Sequence, residues 1–152
     1  MLRDKFNEAL KEGLRSRNEN LTGTVRLIIA EMKKRDIEAR PKGNMDGISD
    51  DEILSMMQGM IKQRRESIAL YEKGNRPDLA AKEAAEIGVI ESFLPQQMTE
   101  DEIKAAITAA VAVTGAASVK DIGKVMGELK KAYTGRMDFA QAGALVKTAL
   151  AG

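Results

Sequence analysis

Two carboxylates interrupt the apolar face of a helical repeat. From Leu79 to Leu94, the side chains Leu79, Ile87, Ile90, Phe93 and Leu94 recur at helical spacing, and Glu83 and Glu86 fall inside that stripe. The segment before it has the matching oddity. Asp50 to Lys73 turns Ile53, Met57, Met60, Ile61, Ile68 and Tyr71 to one face, with Arg64 at its centre. A charge left alone in an apolar layer is costly, so these three can point inward only if they neutralise one another or meet a polar ligand. A bend at Gly74-Asn75 leaves Arg64 and Glu86 equally far from the turn, and an antiparallel helical hairpin would bring them together. One guanidinium can hold two carboxylates, which makes Arg64, Glu83 and Glu86 the expected structural ion pair. The alternative is that the two acids are catalytic or bind metal. A carboxylate-bridged metal centre in a helical bundle uses Glu-x-x-His, and the chain has no histidine, so no metal ligands are expected.

The remaining stripes also have helical period. Leu2, Phe6, Ala9, Leu10 and Leu14 define a first helix that loses definition over Arg15 to Asn20; Leu21, Val25, Ile28, Ile29 and Met32 define a second, reaching about Arg40. Pro41 to Gly47 reads as a loop of turn formers, and Ser49 with Glu52 forms a capping box that starts the third helix. Pro95 breaks the fourth, and Thr99 with Glu102 opens another capping box, which places a domain boundary near residues 95 to 98. Three shorter helices are expected beyond it: Glu100 to Thr114 ended by Gly115, Val119 to Ala132 capped by Ser118, and Phe139 to Leu150 capped by Asp138. Aromatics make up only 3% of the chain, while Ala, Leu, Lys, Glu and Met are abundant, a mixture that favours helix over strand. The expected fold is all-α: an N-terminal helical bundle with a long antiparallel hairpin over residues 1–95, and a small three-helix domain over 96–152.

Composition removes several function classes. The 152 residues contain no cysteine and no histidine, so thiol nucleophiles, disulfide frameworks and thiolate metal sites are absent and the commonest general base is missing. Neither Gly-x-Ser-x-Gly nor a nucleotide fingerprint occurs, so no catalytic residues and no cofactor are expected. The opening segment is a charged amphipathic helix without an apolar run, from which neither a signal peptide nor a membrane span is expected, and the composition suggests a cytoplasmic protein. Lys and Arg number 24 against 23 acids; there is no global cationic field, and any polyanion site must be local.

Local cationic surfaces do occur. Arg26, Lys33 and Arg40 recur every seven residues on the second helix, away from its apolar stripe, and would form a ridge about 20 Å long that can track a phosphate backbone. Lys62 and Arg65 share a flank of the third helix with Gln58. Lys120, Lys124, Lys130, Lys131 and Arg136 mark a further candidate surface around Gly123-Lys-Val-Met-Gly, a segment without the spacing of a phosphate-binding loop. The bland reading of each cluster is a solvated helix face.

Lys62-Gln-Arg-Arg-Glu-Ser-Ile, Tyr71-Glu-Lys-Gly-Asn-Arg-Pro-Asp-Leu-Ala, Glu83-Ala-Ala-Glu-Ile and Phe93-Leu-Pro-Gln-Gln-Met occur in an order that resembles the GatB/YqeY family. Leu27-Ile-Ile-Ala-Glu-Met-Lys, Asp121-Ile-Gly-Lys-Val-Met-Gly and Gly135-Arg136 extend the resemblance over nearly the whole chain. It implies a helical domain followed by a smaller one, similar to the tail of the GatB subunit of glutamyl/aspartyl-tRNA amidotransferase, and contact with tRNA away from the acceptor end. The kinase-like catalytic domain that precedes that tail has no counterpart here. On this resemblance the expected function is a tRNA-binding accessory domain, using Arg26, Lys33, Arg40, Lys62, Arg65, Lys124, Lys130, Lys131 and Arg136 on RNA. An amidotransferase or aminoacyl-tRNA synthetase is the expected protein partner. With so few aromatics, recognition would follow folded RNA shape, at modest affinity and with marked salt sensitivity. Two alternatives stand beside it. One is a helical protein-protein adaptor using the Met56, Met57 and Met60 face of the third helix; the other is glutamine-dependent carbon-nitrogen ligase activity, as the family name implies.

Overall fold

Each apolar stripe winds into a helix and turns inward. The computed structural model describes residues 1–151, and among them are seven α-helices, two short 3-10 turns and no strand. The helices are α1 (Leu2–Ser16), α2 (Glu19–Ala39), α3 (Asp50–Lys73), α4 (Pro77–Glu91), α5 (Glu100–Thr114), α6 (Ile122–Tyr133) and α7 (Phe139–Ala151). The protein is all-α. Among the described residues, no single helix is long and apolar enough to cross a membrane.

Side-chain oxygens satisfy the free amides at several helix starts. Asn18 accepts from the Leu21 amide to open α2, and Ser49 with Glu52 and Thr99 with Glu102 close reciprocal capping boxes at α3 and α5. The bend between α3 and α4 uses Asn75, not Gly74, for its left-handed residue (φ 56°), and the Arg76 amide returns to the Tyr71 carbonyl at 2.8 Å. Asparagine tolerates this conformation better than other side chains.

Several boundaries differ from the sequence expectation, each for a local reason. The fourth helix, with Pro77 in its first turn, stops at Glu91 instead of reaching Leu94. There the Phe93 and Leu94 amides bond carbonyls three residues back, and Pro95 keeps Leu94 out of the helical region. The segment expected to begin at Val119 starts as a 3-10 turn, Val119–Asp121, because the Asp121 carboxylate accepts from the Ala117 and Ser118 amides and tightens that turn before α6 begins. Arg40–Lys42, placed across the end of a helix and the start of a loop, also forms a 3-10 turn.

The chain divides into two compact units, Met1–Leu94 and a second beginning at Pro95. In the first, α3 packs on α4, and α2 packs on α1 and α4. Phe6, Val25, Ile28, Ile53, Met56, Met57 and Ile90 are fully buried, and the Phe6 and Phe93 rings meet edge to face at 5.0 Å. In the second unit, Ile103, Ile107, Val125, Leu129, Met137, Ala142 and Val146 form a separate core.

Charge crosses the first unit's interior at two places. Arg64 is 13% exposed in the seam between α3 and α4; its Nε donates to Glu86 Oε2 at 2.8 Å and stands 4.0 Å from Glu83 Oε2. Its Nη1 donates to the Met60 carbonyl, so a single side chain is bound both to the facing helix and to its own. The second place was not read from the sequence. Arg3 at the start of α1 makes a two-pronged pair with Asp36 near the end of α2, both distances 2.8 Å, and also donates to the Ile48 carbonyl. Asp36 in turn accepts from the Ile48 amide at 2.8 Å. Gly47, at φ +95°, permits this knot: a Cβ there would lie 2.7 Å from Arg3 Nη2 and 2.8 Å from Asp36 Oδ1.

The Arg3 hydrogen bonds hold the Asp36 carboxyl below the ordinary carboxylate range against the opposing effect of burial, with the Ile48 amide adding to the lowering. The unfolded chain therefore takes up a proton at Asp36 before the folded one does as pH falls. The stability this residue contributes is complete above the ordinary carboxylate pKa of about 3.9 and is lost as pH drops through the lower folded-state value. Asp36→Asn is expected to destabilise by about 2 kcal/mol at neutral pH, and urea titrations should show that difference shrinking only below about pH 4. Arg64→Met strands two half-buried acids and is expected to cost about 3 kcal/mol, whereas apolar replacement of Arg64, Glu83 and Glu86 together should recover much of it. Equal losses for the single and triple variants would contradict the coupling.

Candidate nucleic-acid interface

A helix with one apolar stripe has most of its circumference left for solvent, and α2 uses that surface for cations. Arg26 and Lys33 are exposed on a flank of α2 and Arg40 is exposed in the turn that follows it, while Val25, Ile28 and Met32 are buried. Among the described residues none of the three is in an ion pair. Arg26 lies beside a shallow groove bounded by Leu14, Arg17 and Gly23, which adds a further cation at that end of the ridge. At the other end Arg40 opens a 3-10 turn, and its charge helps to lower the Asp36 pKa. The ridge is a row of solvated charges on a backbone anchored by the Arg3–Asp36 pair.

Lys62 and Arg65 are separated by their surroundings. Arg65 reaches across to α4 and pairs with Glu91 at 3.4 Å, while Lys62 lines a groove between α3 and α2. Half the expected patch is thus engaged with an acid of its own unit. The same groove includes Lys34 and the Arg35–Glu31 pair, neither of which stood out in the sequence; Lys34 and Arg35 follow the ridge residue Lys33 by one and two positions and point elsewhere on the helix.

In the second unit, Lys130 and Lys131 are exposed in the last turn of α6, where a helix C-terminus favours positive charge whether or not a ligand is bound. Lys120 is exposed, and Lys124 is exposed with Asp121 at 4.0 Å. Arg136 differs. Its Nε donates to the Gln96 carbonyl at 3.1 Å, its backbone amide bonds Tyr133, and its guanidinium lies 5.8 Å from the Tyr133 ring centre. The Arg136 carbonyl accepts from Met98, so this residue fastens the segment entering α5 to the turn after α6. A role on RNA would be secondary to that one.

Comparison with known proteins places the chain. The family model described as YqeY-like protein matches residues 3–150. An uncharacterized protein of Schizosaccharomyces pombe is 28% identical over 91 residues, covering 60% of this chain and 70% of that protein. A protein of Pyrenophora tritici-repentis named altered inheritance of mitochondria protein 41, mitochondrial, is 29% identical over 128 residues, covering 84% of this chain and 68% of its own. A protein of the same name from Lachancea thermotolerans is 30% identical over 101 residues, or 65% of this chain and 52% of that one. These names overturn the cytoplasmic expectation, since the relatives that carry a location in their names are called mitochondrial. A composition without cysteine does not distinguish one such compartment from another. The match over residues 3–150 assigns the chain to a family: it belongs to the YqeY-like proteins.

Proposed function

We propose that the protein is a tRNA-binding accessory domain, related to the tail of the GatB subunit of glutamyl/aspartyl-tRNA amidotransferase, which brings tRNA to an amidotransferase or aminoacyl-tRNA synthetase. The observation that carries this reading is the ridge of Arg26, Lys33 and Arg40, about 20 Å long and solvated, with none of the three in an ion pair among the described residues. Cations already neutralised by a carboxylate gain little from a phosphate; these three retain their charge for one. Lys130 and Lys131 supply a second, smaller surface, and Arg65 and Arg136 contribute less because each is engaged within its own unit.

Catalysis by this chain has little support. Without histidine or cysteine, attack or proton transfer would fall to hydroxyls, lysines or carboxylates. The acids turned toward the interior are held by arginines, Glu86 and Glu83 by Arg64 and Asp36 by Arg3. The purified chain is expected to release no ammonia from glutamine with or without tRNA; tRNA-stimulated release would favour the ligase reading.

The test of the tRNA reading is titration of deacylated tRNA at two salt concentrations, with and without charge reversal at Arg26, Lys33 and Arg40. Binding should weaken steeply with salt. The reversed variant should lose at least about tenfold in affinity and reduce the salt slope by about 2 to 3, close to one per phosphate contact. No binding at low salt would end this reading.

A further inference from the structure

Asp36 lies in the last turn of α2, and Arg40 follows it by four residues with helical backbone angles (φ −57°, ψ −48°). An acid four positions before an arginine is the arrangement in which the two pair across one helical turn. The same helix forms that pair elsewhere: Glu31 and Arg35, in the same order and at the same spacing, meet at 3.2 Å. Arg40 is in no ion pair among the described residues, although it is close enough for its charge to act on the Asp36 carboxyl. Lys33, three positions before Asp36, is unpaired as well. No other acid stands three or four positions from Arg26, Lys33 or Arg40.

Asp36 is already occupied. Its Oδ2 accepts from Arg3 Nη1, and its Oδ1 accepts from Arg3 Nη2 and from the Ile48 amide, all at 2.8 Å. A carboxylate has about four acceptor positions, and a two-pronged arginine fixes the plane in which the remaining one lies. Arg3 is itself held by the Ile48 carbonyl at 2.9 Å. It wins the competition because it brings parallel donors to a carboxylate only 18% exposed, whereas a pair within one turn of an exposed helix is weak.

We propose that Arg3 is a positioning residue for the polyanion site: by occupying Asp36 it keeps Arg40 and Lys33 from pairing within their own helix and leaves both for phosphate. The ligand's identity rests on the tRNA reading. Without Arg3, the Asp36 carboxylate turns to Arg40 as Glu31 does to Arg35, and the ridge loses one of its cations to an internal acid.

The test is titration of deacylated tRNA over a salt series against the wild type, Arg3→Met, Asp36→Asn and the double variant. Arg3→Met is expected to weaken binding about threefold or more and to lower the salt slope by about one, as Arg40→Met does. Asp36→Asn breaks the same pair and should lower the melting temperature comparably, yet it leaves no carboxylate to capture a cation and should keep the wild-type slope. The double variant should regain the slope that Arg3→Met loses. Lys5→Met, which removes a charge from the same helix as Arg3, should leave the slope unchanged. A purely structural pair predicts equal weakening in Arg3→Met and Asp36→Asn with no recovery in the double variant, and a pure net-charge effect predicts equal losses in Arg3→Met and Lys5→Met; either result would overturn the proposal. A crystal structure of Arg3→Met without RNA tests the capture by itself. Asp36 should lie within about 4 Å of Arg40 or Lys33, and Asp36 paired with neither would overturn the proposal even if tRNA binds. Capture of a ridge cation in that variant, with no tRNA bound by the wild type, would remove the tRNA reading and leave Arg3 as the residue that keeps these cations unpaired.

Discussion

Arg64 occupies a position in α3 where the helical repeat calls for an apolar side chain, and the seam between α3 and α4 is built around neutralising it. A lone guanidinium there would forfeit its hydration without return. The Glu86 carboxylate at 2.8 Å, the Met60 carbonyl and the more distant Glu83 replace that hydration. The replacement is directional in a way that packing of leucines is not. Sliding α4 along α3 by one turn would separate the partners, so the cluster selects a single register for two helices whose apolar stripes alone would accept several. The hairpin also supports α2, which packs against α4 as well as α1.

The same logic organises the surface. With cations and acids nearly equal in number, no long-range field distinguishes one face from another. Distinction comes from which charges are consumed locally. Arg3 is bound by Asp36, Arg64 by Glu86, Arg65 by Glu91 and Arg35 by Glu31, and each of these pairs ties a helix to another or to itself. Other cations are left outside ion pairs among the described residues. Arg26, Lys33 and Arg40 form an exposed row, whereas Lys34 and Lys62 line the groove between α2 and α3. A row of solvated charge is the kind of surface that suits a phosphate backbone.

Helix identity and most helix limits were legible in the residues because they depend on neighbours a few positions apart. The capping boxes at Ser49 and Thr99 and the bend at Gly74-Asn75 are local chemistry, and they form as that chemistry requires. The boundaries that moved did so where a second local interaction competed with the first, as when Asp121 tightened the turn before α6 or Pro95 shortened α4. The Arg3–Asp36–Ile48 knot was not legible. Its members come from three separate segments, each is an ordinary residue on an ordinary helix or loop, and Gly47 reads as one more turn former until the two side chains it must clear are in place. Arg136 likewise looks like a surface cation until its partners Gln96 and Tyr133 are brought beside it.

By itself, the chain of residues determined that the protein is helical, where its helices begin, and that Arg64 required acidic company, because periodicity, capping and the cost of burying charge act over short spans or admit few solutions. Tertiary structure decided which cations remain outside ion pairs, and that Arg3, Asp36 and the Ile48 backbone meet. Those properties depend on which side chains from distant segments arrive within a few ångströms of one another. Spacing along a single helix does not contain that information.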